Sequence, residues 1–306
     1  MTDTEFAREV LAGLRQKQKA LSPKWLYDQR GSELFEEITA VPEYYPTRTE
    51  DGIFDEALPD LAERFSGAAV AEFGSGSSRK SVRLIEAISP SVYVPIDIAA
   101  AFLEEAADGL RTRFLALEVV PQAADFTKAT TLPSAFSEAS SRLGFFPGST
   151  IGNFDTGGAE DFLRESLKTL GTGAAFLVGA DLVKDESVLR AAYDDAGGVT
   201  AAFNLNLLTR INRELGADFD LMHFRHEARW NAQRERIEMH LVSALPQTVT
   251  VAGEEIAFAE GETIHTENSH KYTVDGFEAL AGRAGWRLDR MWTDEKDWFG
   301  VFLLTS

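Results

Sequence analysis

The chain contains no cysteine, so it can form neither disulfide bonds nor thiolate metal sites. It also lacks an apolar run that approaches the roughly 18 residues needed to cross a bilayer as a helix. The N-terminal residues, M-T-D-T-E-F-A-R-E-V, are polar and of mixed charge, unlike a secretory signal peptide. From these absences we expect a soluble cytoplasmic protein.

Basic side chains are scarce relative to acidic ones: 30 Lys and Arg stand against 49 Asp and Glu, for a net charge of −19. Nucleic acids and anionic membranes bind basic faces, so neither is expected as a partner, and we interpret the acidity as a source of solubility. The 306 residues, 44% of them hydrophobic, suffice for one large domain or for a core domain with an insertion.

Strands and helices alternate over the middle of the chain. The predicted strands are Val70–Phe73, Ser91–Ile98, a stretch within Ala116–Ala124, Leu143–Gly148 and Ala174–Asp181, and the helices between them include Ala100–Arg111 and Ala159–Leu170. This alternation predicts an α/β fold with a parallel, doubly wound sheet. Two last strands, Trp286–Asp294 and Trp298–Thr305, are joined tightly, and a terminal hairpin on a parallel sheet is typical of methyltransferases that use S-adenosylmethionine (SAM).

The pattern changes near Ala196, where a long helix, Val199–Leu215, precedes two β-rich runs at Arg236–Ser243 and Gln247–Val251. We therefore expect an N-terminal helical segment, 1–60, that contributes to a substrate lobe. A SAM-binding domain is expected over 61–195 and 268–306, with an inserted substrate-binding lobe over 196–267. Within the first segment, Val41–Glu50 is predicted to be a proline-bracketed loop, followed by a helix to about Phe65.

A glycine-rich turn lies within A-E-F-G-S-G-S-S-R-K (Ala71–Lys80), directly after the first predicted strand. Ligands bind at the carboxyl ends of strands in such sheets, and Gly74 and Gly76 allow a sharp turn and a close approach. The third glycine of a dinucleotide fingerprint is replaced by Arg79. This replacement favours SAM, which has no pyrophosphate, over NAD, and the alternative is a turn that binds nothing.

Two acidic positions follow the next predicted strands. Asp97 is placed to accept hydrogen bonds from both ribose hydroxyls of a nucleoside cofactor. Asp125 and Phe126 suit an adenine, because the carboxylate can accept from the exocyclic amine while the aromatic ring packs on the base. Each alone is a weak signal, since Asp often caps helices, but together they support a nucleoside site.

Further polar groups follow the later strands. Asn153, in G-S-T-I-G-N-F, is either a turn residue or an amide that binds both an amine and a carboxylate. The run T-E-N-S-H-K-Y (Thr266–Tyr272) is predicted to be a loop rich in polar groups. His223 and His226 have no nearby acid cluster, so we interpret them as surface or core histidines and expect no metal.

These stretches together resemble one family, the histidine-specific Nα-methyltransferases of ergothioneine biosynthesis. The resemblance covers nearly the whole chain and rests on P-K-W-L-Y-D, V-P-E-Y-Y-P-T-R-T-E, E-F-G-S-G-S-S, G-S-T-I-G-N, D-L-V-K-D, A-Y-D-D-A-G-G-V-T-A-A-F-N, E-R-I-E-M and T-E-N-S. It implies a Rossmann-like class I fold and three methyl transfers from SAM to the α-nitrogen of L-histidine, giving hercynine. We also expect a monomer.

The resemblance also implies site roles. At the amino-acid end of the substrate, Asn153 and Tyr193 would hold the carboxylate, and Asn153 and Thr150 would lie near the amine. At the other end, Tyr44 would contact the imidazole, and Glu267 and Ser269 would bind its nitrogens. Met239 would pack beside the ring. For SAM, the implied residues are Tyr27, Gly74, Lys80, Asp97, Asp125 and Phe126. No metal or covalent intermediate is required.

Three alternatives stay open at this point. The first is a SAM-dependent N-methyltransferase for another amino acid or a biogenic amine. The Asn153 and Tyr193 pair argues against a simple amine, which has no carboxylate. The second is a methyltransferase-like protein that only binds a ligand or partner. A NAD oxidoreductase is third, disfavoured by Arg79.

Overall fold

The computed structural model describes residues 5–75, 79–98 and 100–306. The helices are α1 (Glu5–Leu14), α2 (Gln29–Thr39), α3 (Tyr45–Phe65), α4 (Arg79–Ile88), α5 (Ala100–Arg113), α6 (Ser134–Ser137), α7 (Thr156–Leu170), α8 (Glu186–Tyr193), α9 (Val199–Leu215) and α10 (Val274–Arg283). Short 3₁₀ helices cover Pro23–Leu26, Thr150–Asn153 and Leu221–His223.

The strands are β1 (Lys19–Ala20), β2 (Ala69–Phe73), β3 (Val92–Asp97), β4 (Glu118–Val119), β5 (Gln122–Ala123), β6 (Arg142–Phe146), β7 (Ala175–Asp181), β8 (Phe224–Asn231), β9 (Arg236–Ser243), β10 (Gln247–Val251), β11 (Glu254–Phe258), β12 (Thr263–His270), β13 (Arg287–Thr293) and β14 (Phe299–Thr305). The chain divides into two compact units. Unit 1 comprises residues 1–45 and 184–271, and unit 2 comprises 46–183 and 272–306.

Unit 2 is built on one large sheet with the strand order β13-β14-β7-β6-β2-β3-β4, in which β5 also pairs with β3. The pairs among β2 to β7 are parallel, whereas β14 runs antiparallel to both β7 and β13. This order, with its antiparallel terminal hairpin, is that of a class I SAM-dependent methyltransferase. The predicted α/β fold is therefore confirmed.

The core of unit 2 lies on both faces of this sheet, as a doubly wound fold requires. Every residue of β2 and β7 is buried, which explains why these strands are apolar apart from Glu72 and the terminal Asp181. One face packs Phe73, Phe146 and Phe176 against helices α7 and α10. The other packs Phe54, Leu84 and Phe145. Burial on both faces fixes the strand ends where the candidate SAM residues lie.

Unit 1 contains a four-stranded sheet in the order β1-β12-β9-β8 and a separate β10-β11 hairpin. Strand β9 is antiparallel to both β8 and β12, and β1 is parallel to β12. Helix α9 begins and ends where the sequence predicts, and it stops at Gly216, whose φ of +63° is a left-handed conformation that favours glycine.

The structure corrects three predictions about secondary structure. The loop predicted over Val41–Glu50 is helical from Tyr45 onward, because Pro46 occupies the first turn, where proline is tolerated. The third predicted strand is two short strands, β4 and β5. The loop predicted over Thr266–Tyr272 is mostly part of strand β12.

The unit boundaries fall after Tyr45, Val183 and Lys271, whereas the sequence pattern predicts boundaries after residues 60, 195 and 267. Among the described residues, no helix is both long enough and apolar enough to span a membrane.

Candidate active site

Strand β12 carries the polar side chains of unit 1 that the resemblance assigns to the imidazole. Glu267 pairs with Met239 of β9, and His265 pairs with His240, so a bulge at Thr266 interrupts the ladder. Residues 239 and 240 point to opposite faces of the sheet. The bulge therefore turns Glu267 and Ser269 onto the face of Met239 and leaves His265 on the other face.

Glu267 is a buried acid, with 7% of its surface exposed. Burial raises the pKa of Glu267 to about 7, against the nearby charge of Lys271 and a hydrogen bond from Tyr27, both of which lower it. Tyr27 exposes 40% of its surface, but its phenol is buried against this carboxylate, and burial raises the pKa of Tyr27 well above its usual value. Glu267 can thus exchange a proton or accept a ring N–H near neutral pH.

Tyr193 and Ser269 form a second polar group in unit 1. The Tyr193 and Ser269 hydroxyl oxygens are 2.7 Å apart, and Lys271 Nζ lies 2.8 Å from each of them. The ring of Tyr44 meets that of Tyr193 edge to face at 6.0 Å between centroids. The structure therefore brings Tyr44, Tyr193 and Ser269 together as expected residues, and adds Lys271.

His226 is buried, as expected for a core histidine, and it is hydrogen-bonded rather than free. Its Nδ1 lies 2.9 Å from Asn204 Nδ2, and its Nε2 lies 2.8 Å from the carbonyl oxygen of Tyr193. This contact ties the end of α8, where Tyr193 lies, to strand β8. His223, by contrast, is partly exposed beside Asp220.

Glu238, His240 and His265 form the one cluster among the described residues whose composition suits a metal, on the face of the sheet opposite Glu267. Their ligand atoms lie within 4.8 Å of one another, whereas two ligands of a tetrahedral zinc ion lie about 3.4 Å apart. Arg236 already binds Glu238, with Nη2 and Oε1 2.6 Å apart. The arrangement is an ion pair beside two stacked imidazoles. That the protein uses no metal stays a prediction.

In unit 2, Gly74, directly after β2, has a backbone conformation that favours glycine. Gly74 has a φ of +69°, and a Cβ at this position would lie 3.4 Å from Phe126 Cε1. Gly74 and the predicted adenine-packing ring are therefore neighbours, and a side chain at position 74 would fill the space between them. This cradle fits SAM. Gly76 lies outside the described residues.

The two acids assigned to the nucleoside differ in their surroundings. Asp97 is the last residue of β3 and is partly exposed. Asp125 Oδ1 accepts hydrogen bonds from the backbone N–H and hydroxyl of Thr127, and its Oδ2 pairs with Lys128 at 3.0 Å. Asp125 thus acts as a turn-stabilising residue in this structure, and its adenine contact stays a prediction.

Lys80 is held by an acid for which the sequence alone indicates no role. Its ammonium pairs with Glu50 of α3, of which only 2% is exposed. Both carboxylate oxygens of Glu50 also accept from the backbone N–H of Gly148, at 2.9 Å. Glu50 therefore ties the start of α4 to the end of β6, next to Thr150 and Asn153.

Thr150 and Asn153 begin and end the 3₁₀ helix after β6. The hydroxyl of Thr150 donates to the carbonyl oxygen of Pro147 at 3.0 Å, and Ser149 Oγ accepts from the backbone N–H of Asp181 at 2.9 Å. These bonds fix the segment at the carboxyl ends of β6 and β7, where open α/β sheets bind ligands.

Glu72 is a second buried acid, in β2 just before the glycine turn. It is 3% exposed, and the hydroxyl of Tyr93 donates to its Oε2 at 2.5 Å. Burial raises the pKa of Glu72 to about 7, although the hydrogen bond from Tyr93 and the charge of Lys80 lower it.

We expect Glu72→Gln to gain stability relative to the parent protein as the pH rises from 5 to 8, measured without SAM. The folded pKa of about 7 exceeds the usual value of 4.5, so the parent loses stability between these pH values and does not regain it above them. Glutamine has no proton to lose. The relative gain should be about 2.5 kcal/mol. Urea unfolding at both pH values measures it, and an equal difference at pH 5 and pH 8 would contradict the burial argument.

Comparison with known proteins places the chain among methyltransferases. The family of histidine-specific, SAM-dependent methyltransferases matches residues 6–306. Histidine N-alpha-methyltransferases from Mycolicibacterium smegmatis and Mycobacterium tuberculosis are each 41% identical, over 97% of this chain and 93% of theirs. Ergothioneine biosynthesis protein 1 of Neurospora crassa is 29% identical over 92% of this chain and 32% of its own length.

Proposed function

We infer the reaction of this chain from the family to which it belongs, the histidine-specific, SAM-dependent methyltransferases. It is a histidine Nα-methyltransferase that forms hercynine, a step of ergothioneine biosynthesis. The observation that carries this conclusion is the match across residues 6–306, which includes the strand that bears Glu267 and Ser269. SAM, when bound, supplies an electrophilic methyl group on a sulfonium and leaves as the thioether.

We propose that unit 1 recognises the imidazole ring. Glu267 and Ser269 lie on one face of β12, with Met239 beside Glu267 and the rings of Tyr44 and Tyr193 close by. A neutral imidazole offers one N–H donor and one acceptor nitrogen. A carboxylate and a hydroxyl satisfy these two groups, and the apolar side chain packs on the ring. A ligand that leaves both polar groups unpaired is strongly rejected.

We propose that the remaining residues hold the amino-acid end of the substrate and the SAM molecule, in the roles implied by the resemblance. Tyr193 and Asn153 bind the carboxylate, and Asn153 and Thr150 position the amine. Gly74, Lys80, Asp97, Asp125 and Phe126 hold SAM, together with Tyr27. Because the leaving group is already activated, these residues need only bind a neutral amine, align it and exclude water. No metal takes part, and the protein acts as a cytoplasmic monomer.

The substrate carboxylate distinguishes this function from methylation of a simple amine. L-histidine should be methylated with a kcat/KM roughly a hundredfold or more above that of histamine, because histamine leaves the carboxylate-binding groups unpaired. Competition assays with labelled SAM measure this ratio. Histidinol, which has a neutral hydroxyl in place of the carboxylate, serves as the intermediate control. Equal turnover of histidine and histamine would favour an amine methyltransferase instead.

A further inference from the structure

Glu50 is a buried carboxylate of unit 2 that two glycines accommodate. Only 2% of its surface is exposed, and both of its oxygens accept from the backbone N–H of Gly148 at 2.9 Å. A Cβ at Gly179, inside strand β7, would overlap Oε1 of Glu50. Glycine weakens the interior of a strand, and burial of a carboxylate is costly. The place made for this carboxylate therefore calls for a functional explanation.

The cation that pairs with Glu50 lies at an unfavourable position in its helix. Lys80 is in the first turn of α4, where the helix dipole favours acidic side chains over basic ones. Its ammonium pairs with Glu50, and 14% of its side chain is exposed. An ammonium has three donors, and the pair with Glu50 uses one of them. Lys80 can therefore bind a second anion while it stays paired with Glu50.

The chemistry of SAM supplies such an anion. SAM has one anionic group, the carboxylate of its methionine moiety, and a lysine in a SAM site suits that group. Lys80 also has another acid nearby, because its charge lowers the pKa of the buried Glu72. A lysine side chain is long and flexible, so an ammonium that Glu50 did not hold could turn towards Glu72. The ligand carboxylate would then lose its partner.

We propose that Glu50 is a positioning residue of the SAM site, which orients the ammonium of Lys80 towards the carboxylate of SAM. The proposal rests on the proposed function, in which Lys80 belongs to the SAM site. In this role Glu50 acts through Lys80 and not by contact with the cofactor. The charge of Glu50 also repels the ligand carboxylate, but Lys80 and the N–H of Gly148 compensate that charge before SAM binds.

Two ligands isolate the contact with the carboxylate. S-Adenosylhomocysteine, the product that SAM leaves, and its decarboxylated analogue differ in that group alone. The ratio of their Kd values, from isothermal titration calorimetry without histidine, measures the preference for the carboxylate. We expect the parent protein to prefer S-adenosylhomocysteine. Glu50→Gln should reduce this preference about tenfold, because glutamine keeps an acceptor for Gly148 but has no charge to hold Lys80.

The ratio separates positioning from a general loss of structure, which would weaken the binding of both ligands alike. Glu56→Gln is the matched control, at an exposed acid of the same helix, and it should keep the parent preference. If Glu50→Gln does not fold, Glu50→Asp takes its place with the same expected loss, because its shorter side chain cannot reach both Lys80 and Gly148.

A double-mutant cycle shows whether Glu50 acts through Lys80. Lys80→Met should abolish the preference, and Glu50→Gln should then cause no further loss, because the two side chains form one unit. An unchanged or larger preference in Glu50→Gln would overturn the proposal, since removing a carboxylate that only repels the ligand would strengthen it. Additive losses, or a parent protein that binds both ligands equally, would overturn it too. Failure of the parent protein to bind S-adenosylhomocysteine at all would instead count against the proposed function.

Discussion

Replacing Glu267 by alanine is expected to raise the KM for L-histidine about 5- to 150-fold, the equivalent of about 1–3 kcal/mol for an unpaired polar contact. The carboxylate is buried and lies beside Met239 in the sheet, where we propose that it accepts the ring N–H. Methyl transfer takes place at the amine, the other end of the substrate. The kcat should therefore change much less than KM. Steady-state assays at saturating SAM separate the two constants.

Glu267→Ala should also lower the ratio of kcat/KM for histidine to kcat/KM for phenylalanine or tryptophan, because the rings of these two amino acids do not need this acceptor. Glu267→Gln is the informative partner variant, since it keeps the volume and one acceptor oxygen but removes the charge. Glu255→Ala, at an exposed acid of the same unit, is the matched control. If KM and the preference both stay at parent values in Glu267→Ala, Glu267 is not a specificity residue.

The second large effect is expected at Asp97, the acid that ends β3. Asp97→Ala should weaken SAM binding about 10- to 150-fold, corresponding to the roughly 1.5–3 kcal/mol of a hydrogen bond to a charged group. The reason is that the ribose hydroxyls would lose a carboxylate acceptor at the strand end. Isothermal titration calorimetry with SAM, in the absence of histidine, measures the change.

Asp108→Ala provides the control for this measurement, because Asp108 is an acid of helix α5 in the same unit that pairs with Arg111 on the surface. Its affinity for SAM should equal that of the parent. An Asp97→Ala protein that also binds SAM with parent affinity would remove Asp97 from the nucleoside site and leave Gly74 and Phe126 as its supports.

The fold of unit 2 follows from the sequence because its signals are mostly apolar and local. Strands β2 and β7 are buried throughout, so apart from Glu72 and the terminal Asp181 they appear as hydrophobic runs between helices. The positive φ of Gly74 agrees with a glycine chosen for its conformation. Even the long helix α9 matches its predicted bounds, because its buried residues recur with helical spacing.

The strands of unit 1 were harder to predict because polar residues occupy their buried positions. Strand β12, T-I-H-T-E-N-S-H, buries Glu267, Ser269 and His270, and its bulge breaks the period of two on which strand prediction depends. Strand β8 carries alternating charges that pair within the sheet. Composition shows that these segments are polar, and only the three-dimensional pairing shows that they are ordered and buried.

The sequence alone did not indicate the roles of Glu50 and Lys271, for a related reason. Glu50 contacts Lys80 and Gly148, which are distant from it in the chain, and Lys271 contacts Tyr193 in the same manner. A charged residue that is buried by its partners has the same sequence signal as one on the surface. The resemblance pointed to the residues that we expect to contact ligands, whereas Glu50 and Lys271 emerged from the structure.

The central claim, that histidine is methylated three times on its α-nitrogen, can be tested by one product analysis. The enzyme is incubated with L-histidine and SAM carrying a ¹³C-labelled methyl group, and the products are followed by mass spectrometry and NMR. We expect mono- and dimethyl intermediates and then a trimethyl product whose three labelled methyl groups are equivalent and bound to the α-nitrogen. Label on an imidazole nitrogen, or no label on histidine at all, would contradict the account.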